Sequence, residues 1–418
     1  MKTLKTVYCK EYFILIGLAL LPIVWKVLEI ALLTPFNNAL KILSQIALIS
    51  IIFKCFEETI FNPLYKCLSK NNYANNNSKN LIAKKFLIIY VLLTTLFTLL
   101  IFTVIQQIMV ISKIPENIFF ETQPFLKLYV IACGLGVISK YLYTFNVISK
   151  NTKQMFFYLL IRVILTATLF LILAPKFSLN LGVNAVAITD IIVNTLTIVY
   201  LLITFPKCEK TQISINKKEY FKLTLFSFLE TTIRNVVYYF VILVFLNMID
   251  NQDKYFIANE FIWGIMLIPA LAQSTLIKQD IANNKNYNLN KYFLNSILLS
   301  VFMFILIPIA YLTFKHIYNL PNHLEYFYVL LKLLPCYIIF IFDSVIESYF
   351  ISTGKLHHVL IQSVITNIVV YLTAYILYLT NVWVVTLNSI ILLFNLGIVF
   401  SSLYTITTYI ILRKKDAN

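Results

Sequence analysis

Two acidic residues stand in apolar surroundings where a charge must have a reason. Glu230 lies in the run FLETTIRN and Asp343 in FDSVIESYF, with Glu347 four residues on and so one turn along the same helix face. A carboxylate in such a setting can ligate a hard cation such as Na⁺, or it can take up a proton and become neutral. It can also be half of a structural ion pair, and Arg234 follows Glu230 by four residues. No basic residue follows Asp343 within a turn, which favours ion or proton chemistry there. Asp190, Asn259, Glu260 and Glu347 are secondary candidates of the same kind. Lys26 and Glu29, spaced i, i+3, are expected to pair structurally, as is Arg234 with Glu230. His316, His323, His357 and His358 are all expected to fall in loops, where solvated side chains are the default.

The elements that carry these residues are membrane spans. The 418-residue chain is 60% hydrophobic and only 12% charged, with a mean hydropathy of +0.82. A soluble domain carries about a quarter charged residues, so lipid, not water, must face most of this surface. The composition implies an all-α polytopic membrane protein and argues against a soluble enzyme. The formal charge of +16 could suggest nucleic-acid binding, but the basic residues sit in short loops between apolar runs. The six cysteines are scattered without CxxC or Cys/His spacing, so neither a disulfide framework nor a zinc site is expected. The first apolar run lacks a small-residue cleavage site, so no cleavable signal peptide is expected.

Apolar runs broken by charge and by Pro/Asn clusters predict twelve helices, near 12–33, 39–64, 86–112, 124–147, 155–174, 182–204, 222–248, 256–277, 293–314, 326–350, 358–379 and 383–411. Lys and Arg test the count independently. With both termini cytoplasmic, the inside segments hold 23 of the 34 basic residues and the outside loops five, the asymmetry that orients membrane proteins. The halves also repeat. KEYF occurs at Lys10–Phe13 and at Lys218–Phe221, and Pro63 matches Pro269, Phe86-Leu87 matches Phe293-Leu294, and Ile148-Ser149 matches Ile351-Ser352, all at offsets of 203 to 208. This divides the chain into an N-terminal six-helix lobe (1–205), a cytoplasmic linker (206–222) and a C-terminal six-helix lobe (223–418), two pseudo-symmetric bundles of a kind recurrent in transporters. At those offsets the counterparts of Glu230 and Asp343 are Pro22 and Lys140, so the acidic pair exists only in the second half.

At these residues the sequence resembles the MATE (multidrug and toxic compound extrusion) family, within the multidrug/oligosaccharidyl-lipid/polysaccharide exporter superfamily. FLETTIRN is similar to the family's span-seven motif, which puts Glu230 on the coupling carboxylate. FDSVIESYFISTGK resembles the span-ten motif and places Asp343 and Gly354, WGIMLIPALAQSTLIKQDIANN resembles span eight with Pro269 in place, and NLGVNAVAITDIIVN resembles the start of span six. The chain departs from the family in having only seven glycines, in having no clear counterpart of the span-one aspartate (Glu29 is off the spacing), and in carrying Asn151 where the second half has Gly354.

The resemblance implies a secondary active transporter: an antiporter that uses Na⁺ or H⁺, bound at Glu230 and Asp343, to export amphipathic organic compounds by alternating access. The alternative is a flippase for a lipid-linked oligosaccharide or polysaccharide precursor. That substrate is anionic and would want cations such as Lys26, Arg162, Arg234 or Lys332 in its path. An enzyme is not expected, because the longest loops, around Asn71–Asn80 and Cys208–Lys218, carry no catalytic arrangement. No phosphate-cradling glycine loop appears either. No cofactor is expected beyond the coupling ion, and no metal beyond Na⁺. The expected setting is a monomer in the plasma (inner) membrane of a prokaryote, acting on a small organic substrate without nucleic acid.

Overall fold

The computed structural model describes residues 10–417 apart from 34–35, 37, 70–75, 112–113, 115, 176–177, 207–216, 238–243, 250–251, 284–287 and 318–321. The described residues are mostly helical, with no strand among them. The first half contains Lys10–Leu33 (α1), Ala39–Ser44 (α2), Ile46–Cys67 (α3), Asn76–Thr103 (α4), Ile105–Ile111 (α5), Glu116–Ile148 (α6), Thr152–Leu173 (α7) and Asn184–Ile203 (α8). The second contains Lys217–Val237 (α9), Val244–Asn247 (α10), Gln252–Phe261 (α11), Ile268–Asn283 (α12), Asn290–Leu312 (α13), His323–Thr353 (α14), Leu356–Val364 (α15), Thr373–Leu379 (α16) and Leu387–Ala417 (α17). Wider π-helical turns occupy Ile262–Met266, Thr313–Ile317 and Ile365–Leu372.

Among the described residues, eight helices are long and apolar enough to cross a bilayer, or up to nine if the bent pair Lys254–Met266 and Ile268–Asn283 is one span. Their surfaces are those of a protein solvated by lipid. Leu92, Leu96, Phe120, Ile203 and Leu403 point outward, whereas Gln273, Asn295 and Ser296 are fully buried. The buried polar groups satisfy one another across α12 and α13: Gln273 Nε2 donates to Ser296 Oγ at 2.9 Å, and Asn295 Nδ2 donates to Gln273 Oε1. In hydrocarbon an unpaired polar group costs several kcal/mol, which drives this inversion of the soluble pattern. The chain is an all-α polytopic membrane protein.

The structure departs from the uniform spans expected of the sequence at several breaks. The second span is interrupted at Gln45, and the third at Val104. The eighth bends by 50° next to its π turn. Pro269 causes that bend, because it has no N–H to return to the preceding turn. The Leu267 amide instead bonds the Ile262 carbonyl at 2.9 Å, and the Tyr12 hydroxyl donates to the Pro269 carbonyl at 3.0 Å.

Contacts divide the chain into two compact units, Leu21–Lys217 and Met1–Leu20 with Lys218–Asn418. In the first, α6 is the central helix and packs against α3, α4, α7 and α8. Asn194 and Thr197 of α8 tie to it, through the Ala132 carbonyl at 3.1 Å and Ser139 Oγ at 3.1 Å. In the second, α14 holds that central position, against α11, α12, α13, α15 and α17.

The close approach of α17 to the π turn at Ile365–Leu372 depends on Gly397. A Cβ at that position would come within 2.8 Å of Cζ of Tyr371, whose ring is buried in the core. Gly397→Ala should therefore overpack the second unit and cost about 1–3 kcal/mol. Gly136→Ala, whose Cβ would meet only Asn194 Nδ2 at 3.5 Å, should be tolerated. Thermal unfolding of the purified variants in detergent compares the two; equal midpoints would refute the packing assignment.

Candidate functional site

Asp343 lies in the last third of α14, on a helix with a stripe of small hydroxyls. Ser344, Ser348 and Ser352 each return their Oγ to a carbonyl of the preceding turn, at 2.8, 2.7 and 2.6 Å. Backbone bonding of this kind makes serine tolerable in an apolar helix, and the short side chains let neighbouring helices come close to Asp343. The carboxylate is 2% exposed. Its Oδ2 accepts from Gln362 Nε2 of α15 at 3.1 Å and from Ser401 Oγ of α17 at 3.4 Å. Gln362 Nε2 also donates to Ser401 Oγ at 2.7 Å, closing a triangle of three side chains from three helices. Ser402 and Thr405 of α17 stand beside the carboxylate as well. Asp343 Oδ1, Gln362 Oε1 and Ser402 Oγ are buried without a hydrogen-bond partner. Asp343 makes no ion pair among the described residues. Glu347, half-buried, lies one turn along on the same face.

Glu230, on α9, is 6% exposed and accepts from Arg234 Nε at 2.8 Å, the i, i+4 pair that its spacing predicts. The guanidinium is partly exposed, so the pair is screened at one end. One turn of α15 serves both acidic residues. Gln362 donates to Asp343, while its neighbour Ser363 donates to the Glu230 backbone carbonyl at 3.4 Å and is fixed in turn by Asn367 Nδ2 at 3.2 Å. The structure thus brings Glu230 and Asp343 to adjacent residues of one helix, within one unit.

The secondary candidates are dispersed. Asn259 accepts from the Tyr337 hydroxyl, which itself accepts from Trp263 Nε1 at 2.7 Å; this chain lies against the π turn at Ile262–Met266. Glu260 is exposed at the end of α11. Asp190, on α8, belongs to the other unit, where the charge of Arg162 acts on it without a direct ion pair between them. Arg162 donates instead to the Tyr158 hydroxyl at 2.9 Å. Lys140 of α6 pairs with Glu57 of α3. The side chains of Lys26 and Glu29 lie outside the described residues. No three His, Cys, Asp or Glu side chains gather as a metal site among the described residues.

Sequence reasoning missed the partners of Asp343. Gln362, Ser401, Ser402 and Thr405 are uncharged, and hydropathy registers them only as weak dips in apolar runs. The available signal was Gln362 in LHHVLIQSVITN, a long amide in the interior of a span. The four histidines also need correction, since none lies in a loop: His316 belongs to the π turn at Thr313–Ile317, His323 opens α14, and His357 and His358 open α15. The two rings meet at 4.0 Å, and His358 Nδ1 lies 3.2 Å from the Tyr404 hydroxyl.

No protein-family model matches the chain, and no curated protein matches it by sequence. Solved structures match over nearly its whole length. The Vibrio cholerae MATE transporter VcmN in its bent form is 13% identical, with 98% of this chain and 96% of that one covered and a TM-score of 0.76. An outward-facing multidrug resistance MATE transporter of the MOP superfamily is 11% identical, covering 96% and 94%, with a TM-score of 0.79. A MOP superfamily transporter from Pyrococcus furiosus, described as having a binding pocket of reverse polarity that suggests a different function, is 11% identical, covering 99% and 96%, with a TM-score of 0.77. The chain has the fold of the MATE transporters.

The Asn259–Tyr337–Trp263 chain supplies a direct check on the site's surroundings. Tyr337→Phe removes the hydroxyl that serves both neighbours and should destabilise the purified protein by about 1–3 kcal/mol. A shift in tryptophan emission should accompany the loss; an unchanged spectrum and unfolding midpoint would contradict the contact.

Proposed function

We propose that the protein is a secondary active transporter, a cation-coupled antiporter that exports amphipathic organic compounds by alternating access, with Na⁺ or H⁺ bound at Asp343 and Glu230. The observation that supports this reading most is Asp343 itself: a carboxylate almost fully buried inside a span, hydrogen-bonded at one oxygen, unpartnered at the other and without an ion pair among the described residues. A lone charge at the bilayer centre costs a few kcal/mol even on insertion scales, so an intramembrane carboxylate needs a neutralising partner. An exchangeable ion supplies that partner and is released again when its affinity changes. Because affinity differs between two conformations, an ion gradient shifts their populations. Glu230 joins the site when its pair with Arg234 opens, since the guanidinium otherwise neutralises it. In this scheme the twelve expected spans form lobes 1–205 and 223–418 in a plasma membrane, with both termini cytoplasmic and one chain sufficient.

A second reading, a flippase for an anionic lipid-linked sugar, is favoured by one residue. Arg234 is committed to Glu230, and Lys332 donates to Asn388 Oδ1 at 2.8 Å. Arg162, midway along α7, has only the neutral Tyr158 hydroxyl as a hydrogen-bond acceptor among the described residues and so retains donors for an anion.

Ethidium accumulation in cells separates the readings. Cells expressing the wild type should exclude the dye, and cells expressing Asp343→Asn should accumulate it as fully as cells without the protein. Glu230→Gln should impair exclusion in the same assay. Removing Na⁺ or adding a protonophore then names the coupling ion. Undiminished exclusion by Asp343→Asn would sink the coupling role. Equal accumulation in wild type and variants, with the protein present in the membrane, would put the flippase ahead.

A further inference from the structure

The hydrogen bonds around Asp343 identify the missing partner by elimination. Asp343 Oδ2 accepts from Gln362 Nε2 at 3.1 Å, while the second oxygens of both groups, Asp343 Oδ1 and Gln362 Oε1, are buried and receive nothing. Both are acceptors, so neither can satisfy the other. A carboxylic acid and a primary amide, however, form a cyclic pair through two complementary bonds, amide N–H to acid oxygen and acid O–H to amide oxygen. The first of these is present. The second needs one proton on Oδ1, and it would partner both orphaned atoms at once. Buried polar groups are nearly always partnered, so two adjacent exceptions that one proton resolves are informative.

A hard cation fits the same position less well. Cations of that class take about six or more oxygen ligands. The unpartnered oxygens here are Asp343 Oδ1, Gln362 Oε1 and Ser402 Oγ, roughly half such a shell. Thr405 Oγ1 spends its proton on the Ser401 carbonyl at 3.0 Å, and Ser401 Oγ donates to Asp343 while accepting from Gln362, so only their remaining lone pairs could add to that shell. A proton needs one donor atom and one acceptor, and the two unpartnered oxygens belong to side chains already hydrogen-bonded to each other.

We infer that the ion taken up at Asp343 is a proton, held on Oδ1 and donated to Gln362 Oε1, which makes Gln362 the residue that selects H⁺ over Na⁺. The inference rests on the reading of Asp343 as the coupling carboxylate. In the loaded state the carboxylate has gained one proton and is neutral; on release the proton leaves to water and the carboxylate keeps the bonds from Gln362 and Ser401 at Oδ2. The groups facing it are consistent with uptake of a neutralising proton. Glu347 on α14 adds a second negative charge. The facing residues of α15 and α17 are an amide and hydroxyls. From α12, Ser274 reaches Ser348 Oγ at 2.6 Å. His358 and Tyr404, one turn from Gln362 and Ser401 on the same two helices, bond each other at 3.2 Å, and Glu230 is engaged by Arg234.

Infrared difference spectroscopy of the full chain in lipid nanodiscs reads this proton directly, without a transport substrate. On lowering pH, the wild type should develop a protonated-carboxyl band that is absent from Asp343→Asn. The band should move to higher wavenumber in Gln362→Met, because both hydrogen bonds that weaken the C=O stretch are lost. On the unmodified chain, replacing K⁺ by Na⁺ at constant ionic strength should leave the band's pH midpoint in place. A midpoint displaced by Na⁺ would overturn the inference, as would a band that survives Asp343→Asn or ignores Gln362→Met. The Na⁺ arm needs no variant, so misfolding cannot mimic its outcome. A band that behaves as expected in a protein that exports no dye would support the proton site and remove only the drug-export reading.

Discussion

A lipid bilayer offers no hydrogen bonds, so every polar atom placed within it must be answered by another atom of the chain or by something the chain binds. That constraint orders the whole structure. It makes the backbone helical, turns leucines and phenylalanines outward, and gathers the amides and hydroxyls of Gln273, Asn295 and Ser296 into closed internal networks. It also separates two kinds of charge carried by these helices. Glu230 is answered by Arg234 within its own helix, Lys140 by Glu57 across two helices, and Asp343 only by neutral donors at one of its two oxygens. The first two are complete as they stand. The third keeps one buried oxygen without a hydrogen-bond partner.

The helical breaks follow from the same constraint. A bend frees carbonyls, and in lipid these must be re-satisfied locally. At Pro269 the π turn reassigns the Leu267 amide to Ile262, and the Tyr12 hydroxyl takes up the Pro269 carbonyl. The 50° bend thus falls where the backbone re-pairs through the π turn.

Much of this was legible in the sequence, and the reasons for what was not are physical. A charge in an apolar run stands out because insertion scales penalise it heavily, so Glu230 and Asp343 could be picked out singly. The i, i+4 spacing of Glu230 and Arg234 gave their pairing, because helical contacts are local. The partners of Asp343 were hidden for the opposite reason. Gln362 and Ser401 lie 19 and 58 residues away along the chain and meet Asp343 only through the packing of three helices. Serine and threonine barely disturb an apolar average, and their hydroxyls can always fall back on their own helix backbone. The histidine pair was misplaced because the Gly354 turn between α14 and α15 is tight, so α15 begins earlier than the drop in hydropathy suggests.

The repeat sharpens the argument about Asp343. The alignment of the halves puts Lys140 at its counterpart, and each residue lies about two to three turns before the end of the central helix of its own unit. Equivalent positions therefore carry opposite charges and opposite solutions. Lys140, half exposed, has an ion-pair partner in the Glu57 carboxylate. Asp343 is surrounded by an amide and three hydroxyl side chains, which can stabilise a carboxylate or a carboxylic acid but cannot neutralise it. A requirement of the scaffold alone would be met equally well by a pair like that of Lys140 and Glu57. Keeping a buried carboxylate among neutral partners gains nothing for folding, and this is the feature of the second unit from which the proposed coupling role is argued.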